Sequence, residues 1–166
     1  MSEPQLITYR KEYAQAFADL NYRWIEHYFE IEEEDRKALD NPEGYALSKG
    51  GQIFFVVIDG EPVGTVAMVP HAWQGEQIQS FELAKMAVQP GHQGRGLSRL
   101  LMQACIEFAK AGGAQEVMLV TNDVLTPAVT LYEKFGFQAQ PVMADQRYSR
   151  GNLQMVLRLD ERGLGD

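Results

Sequence analysis

The chain has 166 residues, 45% hydrophobic and 23% charged, a size and composition that predict one folded domain over residues 1–166 with its own core. Its formal net charge of −8 argues against non-specific nucleic-acid binding and leans toward cationic or amine partners. No apolar run reaches membrane-spanning length, "MSEPQLITYRKEY" lacks the basic-then-apolar order of a secretion signal, and the lone Cys105 admits no internal disulfide, so a cytoplasmic protein away from membranes is expected.

"LITYR" (Leu6 to Arg10) reads as a short first strand. From Tyr13 to Leu39 the pattern is helical, with a break near Glu30 that gives two helices. Gln52 to Ile58 and Glu61 to Val69 form a hairpin around Asp59-Gly60, a pair suited to the positive φ angles of a tight primed turn. Gln77 to Val88 is the next strand. Leu97, Leu100, Leu101, Ala104, Cys105 and Phe108 then fall on one helical stripe, with Arg99, Gln103, Glu107 and Lys110 opposite. Gly112 and Gly113 supply a stop. "EVMLVT" is a buried strand, and Thr126 is placed as the cap of a helix that has Pro127 at its first position and runs to Phe135. Strands near Phe137 to Gln140 and Leu153 to Leu159 close the order β-α-α-β-β-β-α-β-α-β-β. The class is α/β in the α+β sense: a mixed, mostly antiparallel sheet flanked by helices. The crossover from Met86 to Thr121 should make one parallel pair.

The loop between Val88 and Leu97 holds Gly91, Gly94 and Gly96 where a strand hands over to a helix. Glycines there let backbone N–H groups converge, and a helix start adds partial positive charge, so the site suits phosphate oxygens. Gln93, Gly94, Arg95 and Gly96 would wrap a pyrophosphate, with Arg95 as charge partner. The Gly-Lys-Ser/Thr ending of a triphosphate loop and the third glycine of a dinucleotide fingerprint are both missing. A turn that needs glycine for geometry alone is an equal reading of this loop.

The segments "LAKMAVQPGHQGRGLSRLLM" and "EVMLVT", with Ala128, Leu131, Tyr132, Gly136 and Phe137, resemble the GNAT superfamily of acyl-CoA-dependent N-acyltransferases. The resemblance extends upstream into "GEPVGTVAMV" and covers most of the chain after about Gln52. It implies a single GNAT-like domain using acetyl-CoA as acyl donor, with Met86, Ala87 and Val88 on the cofactor strand. Gln93, Gly94, Arg95, Gly96, Leu97 and Ser98 would cradle the pyrophosphate, while Asn122, Ala128 and Tyr132 would meet the rest of the donor. Two departures stand out. Ser98 takes a place where the family usually carries Gly or Ala. Leu125 stands where many members have Asn, for which Asn122 is a candidate substitute.

The resemblance also implies that the Tyr132 hydroxyl protonates the departing thiolate; a core tyrosine is the alternative. Glu82 alternates onto the strand face of Ala84, Met86 and Val88, where partial burial would make its carboxylate a stronger base. Its structural alternative is a strand-edge carboxylate paired with Lys85 or a nearby base. Cys105 belongs to a buried stripe and reads as core. His27, His71 and His92 have no metal-ligand spacing, so no metal is expected, and His92 in the phosphate loop reads as a solvated histidine, with contact to ligand as the alternative.

For the acceptor, the resemblance points to the first two helices, where Trp24 and Tyr28 are core or pocket wall, together with Glu82. Glu32 to Asp35 read as a solvated acidic start to the second helix. Arg147, Tyr148 and Arg150 are candidates for an acceptor carboxylate, or surface charges. The function expected is acetyl transfer to the primary amine of a small molecule by direct attack in a ternary complex. Protein or peptide acetylation is the same-class alternative, and a non-catalytic acyl-CoA-binding module the other. The oligomeric state stays open, a homodimer included.

Overall fold

The computed structural model describes residues 3–140 and 151–159. Its strands are β1 (Gln5–Thr8), β2 (Gln52–Ile58), β3 (Glu61–Gln74), β4 (Gln77–Val88), β5 (Glu116–Thr121), β6 (Gln138–Gln140) and β7 (Leu153–Arg158). They form one mixed seven-stranded sheet in the order β1-β2-β3-β4-β5-β7-β6. The helices are α1 (Ala14–Tyr28), α2 (Glu33–Leu39), α3 (Pro42–Tyr45), α4 (Leu97–Ala111) and α5 (Thr126–Lys134). The described residues fall into two compact units, 3–69 with 83–106, and 70–82 with 107–140 and 151–159. No described helix is long and apolar enough to cross a membrane.

In the first unit β1 pairs antiparallel with β2, and β2 with β3. Asp59 and Gly60 both adopt positive φ, 52° and 80°, as a primed hairpin turn requires. Alternate residues of a strand face opposite sides, and β2 is buried on both. Ile53, Phe55 and Val57 join Phe17, Ile25 and Leu39 of the helices in one core cluster, while Phe54 and Val56 are buried as well. Phe17, Ala18, Asn21 and Ile25 are the buried residues of α1, a helical stripe. Leu97, Leu101, Met102, Ala104 and Cys105 are the buried residues of the first part of α4, so the predicted stripe is present but widened by Met102, with Leu100 and Phe108 only half-buried. Gly64 makes that packing close: a Cβ there would meet Leu101 Cδ1 at 3.4 Å and Val88 Cγ2 at 3.5 Å. Helix α3, absent from the expected order, is a single turn whose cap is the Asn41 Oδ1 accepting from the Gly44 N–H at 3.2 Å.

In the second unit β5 pairs antiparallel with β7 along its whole length, and β6 with β7. The expected parallel pair is present, between β4 and β5, but it joins Ser80, Phe81 and Glu82 to Glu116, Val117 and Met118 instead of starting at Met86. Phe81 packs edge-on against Phe108, ring centroids 5.2 Å apart. Beyond Ala111, the Gly113 N–H donates to the Lys110 carbonyl and the Ala114 N–H to the Ala109 carbonyl, each at 3.0 Å. With Gly113 at φ +77°, this is a Schellman stop, as the two glycines foretold. Two boundaries differ from expectation. Strand β3 runs on to Gln74 before Gly75 turns it. Thr126 is the first residue of α5 and not its cap; Leu125 holds the cap position, and its side chain makes no capping hydrogen bond.

Candidate active site

The strand-to-helix loop is built from the backbone outward. The Gln89 N–H donates to the Val63 carbonyl at 2.7 Å, fixing the end of β4. Pro90–His92 form a tight turn, with the His92 N–H donating to the Gln89 carbonyl at 2.9 Å. Gln93 reaches back from the exposed loop, its Nε2 donating to the Val88 carbonyl at 3.4 Å. Gly94 and Gly96 follow at φ +82° and +78°, a region where a side chain is strained, and a Cβ on either would meet no atom within 4 Å. Gly91 also faces open space but needs no positive φ, so two of the three glycines are demanded by conformation.

Leu97, 2% exposed, then anchors the first turn of α4 in the core. The first N–H groups of a helix lack partners within it, so Leu97, Ser98 and Arg99 present donors beside an open space. Arg95 is exposed in the same loop and Ser98 half-buried. The donor set and the space outside the two glycines fit a pyrophosphate. His92 departs from its expected solvated state. Its Nδ1 is buried and has no hydrogen-bond partner among the described residues, a feature the loop sequence did not announce.

Upstream, Ala87 is buried, with Met86 and Val88 half-buried. Lys85 adopts φ +59°, so β4 kinks out of extended geometry there. The plain alternation that put Glu82, Ala84, Met86 and Val88 on one face therefore does not carry through the strand. A non-glycine residue in such a conformation costs on the order of 1–3 kcal/mol. Lys85 Nζ lies 2.9 Å from Asp35 Oδ1, with side-chain exposures of 7% and 0%. Asp35 is thus not part of a solvated run. Its second oxygen accepts the Glu32 N–H at 2.8 Å, and with Glu32 it makes the capping box that starts α2. Glu33 is the solvated member, and Glu34 pairs with Lys37.

In the second unit Glu82 lies in the stretch of β4 paired with β5 and is buried. Tyr132 is the one described residue of α5 that is buried, whereas Ala128, Leu131 and Phe135 are half-buried. Its surroundings are fixed by the helix end. The Gly136 N–H donates to the Glu133 carbonyl at 3.0 Å and the Phe137 N–H to the Tyr132 carbonyl at 3.1 Å. Gly136 sits at φ +101°, and the Tyr132 and Phe137 rings lie 6.0 Å apart, completing a second Schellman motif with its apolar contact. Asn122 Oδ1 accepts the Val124 N–H at 2.9 Å, so its side-chain carbonyl closes the turn leading into α5.

On the acceptor side, Trp24 is half-buried against the core of the first unit and Tyr28 is 49% exposed, with ring centroids 5.2 Å apart. Phe29 and His27 extend this aromatic group at the end of α1. Cys105 is fully buried, which pushes its thiol up and rules it out as an acyl carrier. Among the described residues no group of three His, Cys, Asp or Glu could hold a metal ion. Arg147, Tyr148 and Arg150 lie outside the described residues.

The model of the "Acetyltransferase (GNAT) family" matches residues 14–137. N-acetyltransferase 8 of Rattus norvegicus is 30% identical over 99 residues, 60% of this chain and 45% of that protein. Streptothricin acetyltransferase of Streptomyces lavendulae is 34% identical over 79 residues, 48% of this chain and 40% of that protein. The chain thus spans less than half the length of either relative. Among solved structures, one from Salmonella typhimurium containing acetyl-CoA as its cofactor has a TM-score of 0.73, 19% identity, and covers 98% of each chain.

Proposed function

As the chain belongs to the Acetyltransferase (GNAT) family, we propose that it transfers an acetyl group from acetyl-CoA to the primary amine of a small molecule, in the cytoplasm, by direct attack in a ternary complex. One observation carries the donor assignment. Gly94 and Gly96, both at left-handed φ, open an unobstructed space at the first turn of α4, where backbone N–H groups suit phosphate oxygens. The solved relative in fold that holds acetyl-CoA supports the same reading. The small-molecule acceptor draws on the name of the Streptomyces relative, which acetylates streptothricin, and on the acidic chain, which favours cationic amines.

Acetyl-CoA supplies an activated thioester, and the protein's task is to hold it and move two protons. The Gln93–Ser98 loop would grip the pyrophosphate, and Met86 to Val88 would offer backbone to the pantetheine arm. Ala128 leaves room for that arm, and Asn122 shapes the turn that delivers α5. Glu82 would accept the amine's proton, directly or through one water, leaving a lone pair to attack the carbonyl carbon. Tyr132 would donate its hydroxyl proton to the sulfur as the carbon–sulfur bond breaks. Trp24 and Tyr28 would wall the acceptor.

The test is release of free coenzyme A over a panel of small amines and peptides, run on the parent and on Glu82→Gln. Turnover with a small amine, reduced on the order of 10²-fold in Glu82→Gln and partly restored at higher pH, is the expected result. Restoration follows because more amine is already deprotonated. Turnover confined to peptides would shift the acceptor class. Acetyl-CoA binding without turnover on any amine would make the protein a binding module.

A further inference from the structure

Lys85 sits where neither its charge nor its backbone is at ease. Its φ of +59° inside β4 is a conformation that glycine adopts freely and a long side chain rarely does. Its ammonium is buried against Asp35, a carboxylate with no solvent exposure. Taking two charges out of water is costly, and apolar replacement of such a pair is often neutral or stabilising, so stability alone does not account for it.

What the pair does supply is a fixed direction. Asp35 stands in the first turn of α2, where the helix dipole favours an anion. Its Oδ2 is held by the Glu32 N–H while its Oδ1 faces Lys85. Helix α2 is in turn pinned to the core by buried Ala38 and Leu39. The carboxylate therefore projects from a fixed base and grips the residue at which β4 kinks.

We infer that the Lys85–Asp35 pair is a positioning device, holding the kink in β4 that aims the following Met86–Val88 backbone at the acyl donor. Neither residue touches the reacting atoms; both act through the strand. The inference rests on the acetyl-CoA reading above.

Calorimetric titration with acetyl-CoA, alongside thermal unfolding, tests it without knowledge of the acceptor. A parent protein that does not bind acetyl-CoA removes the functional reading itself, before any variant is compared. With parental binding in hand, Asp35→Asn/Lys85→Met neutralises both partners at similar size. It is expected to keep a melting temperature near the parent's while weakening acetyl-CoA about tenfold, the order set by releasing one left-handed residue. Asp35→Asn/Lys85→Gly also lacks the pair, but its glycine reaches φ +59° without strain. Affinity should return to within about threefold of the parent. Should the methionine double variant not fold, Asp35→Asn/Lys85→Gln, uncharged and able to keep a hydrogen bond as well as the α2 cap, takes its place and is expected to weaken binding about threefold. Parental affinity in Asp35→Asn/Lys85→Met, or in Asp35→Asn/Lys85→Gln if that is the folded one, overturns the inference. So does a glycine variant that binds as weakly as the methionine one, since the pair would then not act through the kink.

Discussion

Tyr132 combines two duties in one residue. Its carbonyl and ring belong to the Schellman stop made with Gly136 and Phe137, and its hydroxyl is the proposed proton donor. Tyr132→Phe separates them, because the ring and the backbone bonds survive and only the oxygen goes. The melting temperature should change little and acetyl-CoA affinity should hold, while kcat falls roughly ten- to thousand-fold. The loss appears in kcat because proton donation is needed in the transition state and not in ground-state binding. A parental rate would leave Tyr132 a packing residue. Helical spacing does not say which residue of α5 lies deepest: the Gly136-Phe137 stop draws Tyr132 inward, while Leu131 and Phe135 stay half-buried.

At the scale of elements, the loop and helix α4 separate what conformation demands from what space permits. Gly96→Asp introduces a side chain at φ +78° and a carboxylate into the space assigned to phosphate. The buried stripe of α4 is untouched, so the variant should fold with acetyl-CoA affinity reduced at least about tenfold, the order of one lost charge-assisted contact. Gly91→Ala is the control. It faces the same open exterior without positive φ, and calorimetry should find its affinity unchanged. The three glycines look alike in the sequence, because a backbone angle is not written in residue type. Helix periods, the Asp59-Gly60 turn and the Gly112-Gly113 stop were legible because each rests on local chemistry. The Lys85 kink and its buried Asp35 were not, since they join residues fifty positions apart.

For the molecule as a whole, the mixed sheet and its parallel β4–β5 pair followed from hairpin spacing and one crossover, while the three-residue extent of that pair did not. Register depends on tertiary packing, which periodicity does not encode. Net charge acts at this scale too. A chain of −8 attracts cationic acceptors over about a Debye length, which salt shortens from roughly 30 Å at 0.01 M to 3 Å at 1 M. The kcat/KM for a polycationic amine should therefore fall as salt rises, more steeply than for a zwitterionic amine of similar size. Equal salt slopes would show that the overall field plays no part in acceptor capture.

Cys105, at 0% exposure in the α4 stripe, has a consequence for how this protein can be watched. It is the chain's one thiol, so a colorimetric reagent added to folded protein sees released coenzyme A against a silent background. The same silence makes the cysteine a clock. Slow labelling of Cys105 without ligand reports how often α4 leaves its core, because the thiol reacts only while the helix is open. A ligand that grips the first turn of α4 should stretch the interval between openings, turning one buried sulfur into a gauge of cofactor occupancy.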